Sequence, residues 1–271
     1  MLRSLNSSVS GMKAFQNKLD VIGNNIANVN TVGFKKSRIM FQDVLSQTVR
    51  GSSTPVVGAS GGTNPVQIGL GVKTATVDTV HSPGSPTTTN LSSDLYMDGN
   101  GFFVVQNDNG SKYLTRAGNF DRDGDGNLVS AQGYKVLDYN GQPINIDSDA
   151  YVSYTIDFNG VIKGVSADGT TTEIATLGTV VVSNPGGLKK VGGSMYELTG
   201  NSDRETDINN LIKKRQDNNA GQIVSGQLEM SNVDLSEEIT EMIIAQRGFQ
   251  ANAKVITVSD SILEELVNLK R

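Results

Sequence analysis

Helical patterning at both ends of the chain, with β patterning between them, constrains the fold more than any other feature. Residues 1–30 and 233–271 carry apolar side chains at heptad spacing and no proline. Residues 70–230 are rich in β-branched residues, glycine and Asx-Gly pairs. The expected class is α+β and mainly β, with paired N- and C-terminal coiled-coil helices and hairpin-rich β body domains between them.

The C-terminal helix is the clearer one. Leu235, Ile239, Met242, Gln246, Phe249, Ala253, Ile256, Asp260, Leu263 and Val267 are spaced four and three apart, and only Gln246 and Asp260 are polar. That is the pattern of a coiled-coil seam. Asp234 is a good N-cap with Glu237 three residues on, as in a capping box. Glu237, Glu238 and Glu241 sit at the positive end of the helix dipole, and Lys270 and Arg271 at the negative end. About 35 residues make a helix about 50 Å long at 1.5 Å per residue, more than a compact domain of this size needs.

The N-terminal segment repeats the pattern with Leu2, Leu5, Val9, Met12, Leu19 and Ile26, interrupted by Gln16 and Gly23, and with Phe15 and Ile22 widening the apolar face. Such a helix is marginal in water without a packing partner. Two seams at opposite ends of one chain suit a subunit that assembles into a rod or tube. The plainer alternative is two surface helices packed on their own domain.

Between the helices, Gly51 to Gly71 is a Gly/Ser/Thr/Pro stretch that reads as a linker or a loop. Asx-Gly pairs then recur at 98, 100, 109, 123, 125, 140, 159 and 168, each marking a tight hairpin. Strand candidates are Phe102–Gln106, Lys112–Thr115, Asn127–Ser130, Tyr134–Asp138, Val152–Ile156, Val161–Val165, Thr179–Ser183, Met195–Leu198 and Gln227–Met230. Ile208–Arg215 reads as helical or irregular. The expected division is a helical domain of 1–32 and 233–271, a linker of 33–70, a β body of 71–144 and 193–232, and a small outer β domain of 145–192.

Several function classes are excluded or disfavoured. A net charge of −5 with no basic block argues against nucleic acid. No apolar run approaches the ~20 residues of a membrane span, and the first 22 residues lack the continuous apolar core of a cleavable signal. Zero Cys removes thiol catalysis, disulfides and Cys-ligated metals, and a single histidine, His81, removes any multi-His metal site. His81 precedes Ser82-Pro83-Gly84 and reads as a surface loop residue. Asp121, Asp123 and Asp125 imitate half of an EF-hand loop, but the twelfth position is Gln132 rather than a bidentate Glu, so a hairpin turn is favoured over calcium. No phosphate loop and no Gly-x-Ser-x-Gly elbow occurs. No catalytic residue, metal or cofactor is expected.

Three stretches resemble one known family. Gly23-Asn24-Asn25-Ile26-Ala27-Asn28-Val29-Asn30-Thr31-Val32-Gly33-Phe34-Lys35 is similar to the N-terminal signature of flagellar rod and hook axial proteins. Asp98 to Val105 with Leu114 to Phe120 resembles their body motif, and Ser231-Asn232-Val233-Asp234-Leu235 with the following helix their C-terminal signature. Ala251-Asn252-Ala253 and the ending Leu263 to Leu269 look like a hook protein, as does the closing Lys270-Arg271 of a short Gram-positive type. Gln47 to Pro65 resembles an insertion of distal rod proteins. The hook reading is favoured and the distal rod is the alternative.

The resemblance implies a homopolymer of many copies in a helical tube around an export channel. Leu5, Val9, Met12, Leu19, Ile26, Leu235, Ile239, Met242, Phe249, Ile256 and Leu263 would form its inner helical seam. It implies neighbours among rod and hook–filament junction proteins, passage through the flagellar type III export apparatus, and an extracellular site as a hook. Asn24, Asn25, Asn28, Gly33 and Phe34 are its signature residues. The asparagines would end the helix and hold the turn that follows.

Overall fold

The computed structural model describes residues 2–55, 61–147, 150–205, 207–217 and 219–269. Lys270 and Arg271, and part of the Gly51–Gly71 stretch, lie outside the described residues. Three α-helices are present among them: α1 (Leu2–Ala27), α2 (Ile208–Leu211) and α3 (Leu235–Asn268). The chain divides into two compact units, Met1–Ala27 with Ser37–Asp78 and Asp234–Arg271, and Asn28–Lys36 with Thr79–Val233.

The first unit holds α1, α3 and four strands, β1 (Ser37–Asp43), β2 (Gln47–Arg50), β3 (Val66–Ile68) and β4 (Val72–Thr79). These strands form two two-stranded ribbons, β1 with β4 and β2 with β3. The region expected to be a linker, 33–70, therefore carries strands β1, β2 and β3. Its pattern is weak because nearly every side chain in β2 and β3 is exposed, so no buried face imposes alternation. The α3 N-terminus is capped as expected: the Asp234 carboxylate accepts from the backbone N–H of Ser236 at 2.8 Å and of Glu237 at 3.3 Å.

The second unit is the β body. Its strands are β5 (Pro86–Thr88), β6 (Leu95–Asp98), β7 (Phe102–Gln106), β8 (Lys112–Thr115), β9 (Phe120–Arg122), β10 (Leu128–Ser130), β11 (Lys135–Val136), β12 (Ser153–Ile156), β13 (Val161–Val165), β14 (Thr171–Thr176), β15 (Thr179–Val180), β16 (Lys189–Gly192), β17 (Met195–Glu197), β18 (Gln222–Ser225) and β19 (Gln227–Glu229). The main sheet runs β16-β17-β8-β7-β11-β10-β9, with β15 also on β7. Strands β12, β13 and β14 make a separate antiparallel sheet. Two further pairs, β18 with β6 and β19 with β5, complete the body.

Strand β7 explains the core. Its run Phe102-Phe103-Val104-Val105 is buried on both faces, as a continuous apolar run should be. Phe103 and Val105 face a cluster with Leu95, Phe120, Leu128, Ile144 and Ile162. Phe102 and Val104 face another with Leu114, Leu137, Val180, Tyr196 and Ile212. The segment expected as a separate outer domain shares this interior, because Ile156, Ile162 and Leu177 pack in the same cluster as Phe103.

One turn device recurs through the body. The backbone N–H of Gly110, Gly126, Gly133, Gly141, Gly160 and Gly169 each donates to the carbonyl three residues earlier. All six glycines have φ between +76° and +84°. This is the type I turn closed by a left-handed residue, not the two-residue hairpin that Asx-Gly first suggests. At Asp123 and Asp138 the first side chain reinforces the turn by accepting two backbone N–H groups, from Asp125 and Asn127 and from Asn140 and Gln142. Asp123 is thus bound into turn hydrogen bonds, which hold its carboxyl below the usual range, the Asn127 side chain first among them.

Because Phe103 is fully buried in a strand packed on both sides, Phe103→Ala is expected to cost about 3–5 kcal/mol in urea unfolding. Phe158, 60% exposed at a turn, should change the same midpoint by less than about 0.5 kcal/mol when replaced by Ala.

Candidate functional site

No helix among the described residues is long and apolar enough to cross a membrane, and none of their His, Asp and Glu side chains form a metal-holding group. What the chain does build is two arrangements of side chains that the three signature motifs bring together, one in each unit.

In the helical unit α1 and α3 run antiparallel. Asn25 meets Glu238, Phe15 meets Gly248 and Gly11 meets Asn252. The seam on α1 uses Ser8, Gly11, Ala14, Phe15, Lys18, Ile22 and Asn25, and on α3 Glu238, Ala245, Gly248, Asn252 and Ser259. It is largely small and polar. A Cβ on Gly248 would lie 2.5 Å from the Phe15 ring, so the glycine is the notch that receives that ring. Lys18 donates to Glu241 at 2.5 Å across a partly exposed edge, an ion pair worth at most about 1 kcal/mol.

The expected seam residues fall around this line rather than on it. Leu5, Met12, Leu19 and Ile26, and Met242, Phe249, Ile256 and Leu263, are half-buried along its flanks. Val9, Leu235 and Ile239 are exposed. Ile243, Ile244, Val255, Val258, Ile262 and Leu266 are exposed as well, so α3 presents a largely uncovered apolar face among the described residues. The α1–α3 contact is set one residue away from the apolar heptad because glycine, alanine and serine let the backbones approach closely, a choice that hydrophobic periodicity does not reveal.

The signature asparagines divide. Asn28 ends α1 as expected, with its carbonyl accepting from the Thr31 N–H and its side chain from the Thr31 hydroxyl, both at 3.1 Å. Asn24 is exposed. Asn25 is buried and acts as a bracket. Its side-chain NH2 donates to the Ser37 carbonyl at 2.9 Å and to Glu238 at 3.1 Å, and its oxygen accepts from the Ser37 N–H at 3.0 Å. It therefore ties α1 to the starts of β1 and α3.

In the body, Gly33, Phe34 and Lys35 belong to a buried charged knot. The Glu229 carboxylate accepts on one oxygen from Lys35 Nζ at 2.5 Å and from the Gly84 N–H at 2.9 Å, and on the other from Arg116 at 3.3 Å. Lys35 and Glu229 are 0% exposed and Arg116 is 3%. Lys35 also donates to the Ser82 carbonyl at 2.7 Å, and Arg116 to the carbonyls of Met97 and Gly99. Burial pushes the Lys35 amine down, against the pull of Glu229. The Gly33 N–H donates to the Glu229 carbonyl at 2.8 Å. Only glycine fits there, since φ is +66° and a Cβ would lie 2.5 Å from the Ala117 nitrogen. Phe34 lies under Lys190, whose amine is 5.0 Å from the ring centroid.

His81 corrects the surface reading. It is half-buried beside this knot, edge-on to Phe102 and Tyr196 at 5.7 and 5.2 Å between centroids. Neither ring nitrogen has a hydrogen-bond partner among the described residues. Burial first, then the charges of Lys35, Arg116 and Lys190, lower its pKa from 6.5 to about 4; the Pro185 carbonyl pulls weakly the other way, outside hydrogen-bond geometry. The knot was unreadable from sequence because Lys35, Arg116 and Glu229 are far apart in the chain and look like solvated charges.

Comparison with known proteins follows these same motifs. The family described as "Flagella basal body rod protein" matches residues 5–35, "Flagellar hook protein FlgE/F/G D1 domain" matches 96–164, and "Flagellar basal body rod FlgEFG protein C-terminal" matches 224–269. The flagellar basal-body rod protein FlgG of Bacillus subtilis is 52% identical, over 100% of both chains. FlgG of Borreliella burgdorferi is 36% identical and that organism's flagellar hook protein FlgE 30%, each over 100% of both chains. A solved Helicobacter pylori flagellar hook protein FlgE2 covers 72% of this chain and 43% of its own at 16% identity, with a TM-score of 0.23 that carries no comparison of folds.

Two predictions come from the site. Asn25→Ala removes the buried side-chain hydrogen bonds to Ser37 and Glu238 and should cost about 1–3 kcal/mol, read from the helical signal in urea. The unfolded chain protonates His81 at about 6.5 and the folded chain only at about 4, so the unfolded state holds more protons between these values. The stability from neutral His81 is full above pH 6.5 and is lost as pH falls toward 4. His81→Gln should flatten this part of the stability–pH curve, with unfolding followed at fixed urea from pH 7 to 4.

Proposed function

The chain belongs to the flagellar rod and hook axial protein family, and from that premise we propose that it is a distal-rod subunit of the flagellar basal body. It polymerises with itself into a helical tube that encloses the export channel and transmits torque. The observation that carries self-assembly is the exposed apolar face of α3. Side chains such as Ile244, Val258 and Ile262 are about half exposed, and each contributes on the order of 1 kcal/mol when a neighbouring copy covers it. The small and polar α1–α3 seam leaves those residues free for other copies.

Rod is favoured over hook on two grounds. The full-length relative at 52% identity is named a rod protein, and the Gln47–Pro65 stretch, which resembles the distal-rod insertion, begins with β2, which pairs with β3 with Val49, Val66 and Ile68 exposed. Such a ribbon is marginal alone and would stiffen the tube by packing on adjacent copies. The hook is the second reading, supported by the likeness to a hook protein over the whole chain. As a rod subunit its neighbours would be other rod proteins and the hook, and it would reach them through the flagellar export apparatus. Its work is mechanical, not enzymatic.

Ile262→Asp should abolish polymers seen by electron microscopy while leaving the β body folded. Position decides rod against hook. A cysteine at exposed Thr170, in a chain with no other thiol, should take a fluorescent maleimide in motile cells only after the cell wall is removed. Labelling of short stubs on intact cells would mean a hook.

A further inference from the structure

We propose that residues 28–36, which follow α1 directly in the chain, are a charge-gated latch that docks on the body only after residues 229–232 are in place. This goes beyond the rod reading and holds for rod or hook alike. Beyond local turns at Asn28 and Thr31, this segment bonds to residues far downstream. Val32 accepts from the Ser194 hydroxyl, Gly33 donates to Glu229, Lys35 donates to Ser82 and Glu229, and its carbonyl accepts from Lys190. The Lys36 N–H donates to the Asn232 side chain at 2.7 Å, and its carbonyl accepts from the Val80 N–H at 2.9 Å. The pairs with Glu229 and Asn232 close loops of 194 and 196 residues, the kind of contact that forms late in folding.

The charge makes the docking conditional. Lys35 is fully enclosed and sits beside Arg116, so without Glu229 its burial would leave two cations uncompensated. Removing one partner of a buried pair is strongly destabilising, whereas an apolar side chain at the same place would be tolerated. A methionine at position 35 could dock against a half-finished body; a lysine cannot. Glu229 enters at the end of β19, five residues before α3 is capped at Asp234. A chain that emerges N-terminus first therefore keeps the segment after α1 undocked until its last body strand has arrived.

The test is hydrogen exchange on the full-length monomer. In Glu229→Gln the amides of residues 31–36 should exchange at least about tenfold faster, while those of 102–106 keep their protection. Adding Lys35→Met to Glu229→Gln should restore slow exchange in 31–36, a rescue that loss of packing alone would not give. Unchanged exchange in Glu229→Gln, or no rescue in the double variant, would overturn the proposal. If Glu229→Gln fails to fold, the wild-type chain decides by pulse labelling during refolding. Gly33 and Lys36 should become protected after Val104, Val105 and Leu114, and simultaneous protection would overturn the latch.

Discussion

A single carboxylate, Glu229, fixes the part of the body on which the rest of that unit hangs. It binds an amine from the N-terminal signature, a guanidinium from the body motif and a backbone N–H from the 80–84 segment. Asn232, three residues on, adds bonds to Lys36 and Val80. The stretches 28–36, 79–84 and 229–233 are those that carry the chain into and out of the body, and all of them meet this knot. A buried ion pair is weak evidence for net stability, because desolvation offsets much of the attraction. Its value is geometric: three stretches distant in sequence hold one register or leave a charge unpaired.

The helical unit applies the opposite chemistry. Its internal seam is small and polar, with Asn25 bonded to Ser37 and Glu238 where an isoleucine would have packed more simply. Several larger apolar side chains, Val9, Ile239, Ile244, Val258 and Leu266 among them, are instead exposed. A soluble monomer would not keep such residues exposed without cause. On the proposed reading, neighbouring copies in a polymer would cover them.

Much of the fold is legible in the sequence where one physical signal dominates. Strand β7 follows from the run Phe102 to Val105, the α3 start from Asp234, and the hairpins from Asx and glycine at fixed offsets. The ribbons of 37–79 are not legible, because exposed strands have no buried face to impose a period. The helix seam is displaced because close approach of backbones favours Gly11, Ala245 and Gly248 over the larger residues that mark a heptad. The knot is hidden for a different reason: a lysine, an arginine and a glutamate acquire meaning only when the fold removes water from all three. Family likeness located the motifs that hold them without assigning their roles.

The central claim is that the apolar face of α3 is solvent-facing in the single chain and covered by other copies after assembly. With no native thiol in the chain, a cysteine at Ile262 can report this directly. Its rate of reaction with a small maleimide is measured on the monomer and on the assembled polymer of the same variant. The account predicts fast reaction in the monomer and strong protection in the polymer. Equal rates in the two states would contradict it.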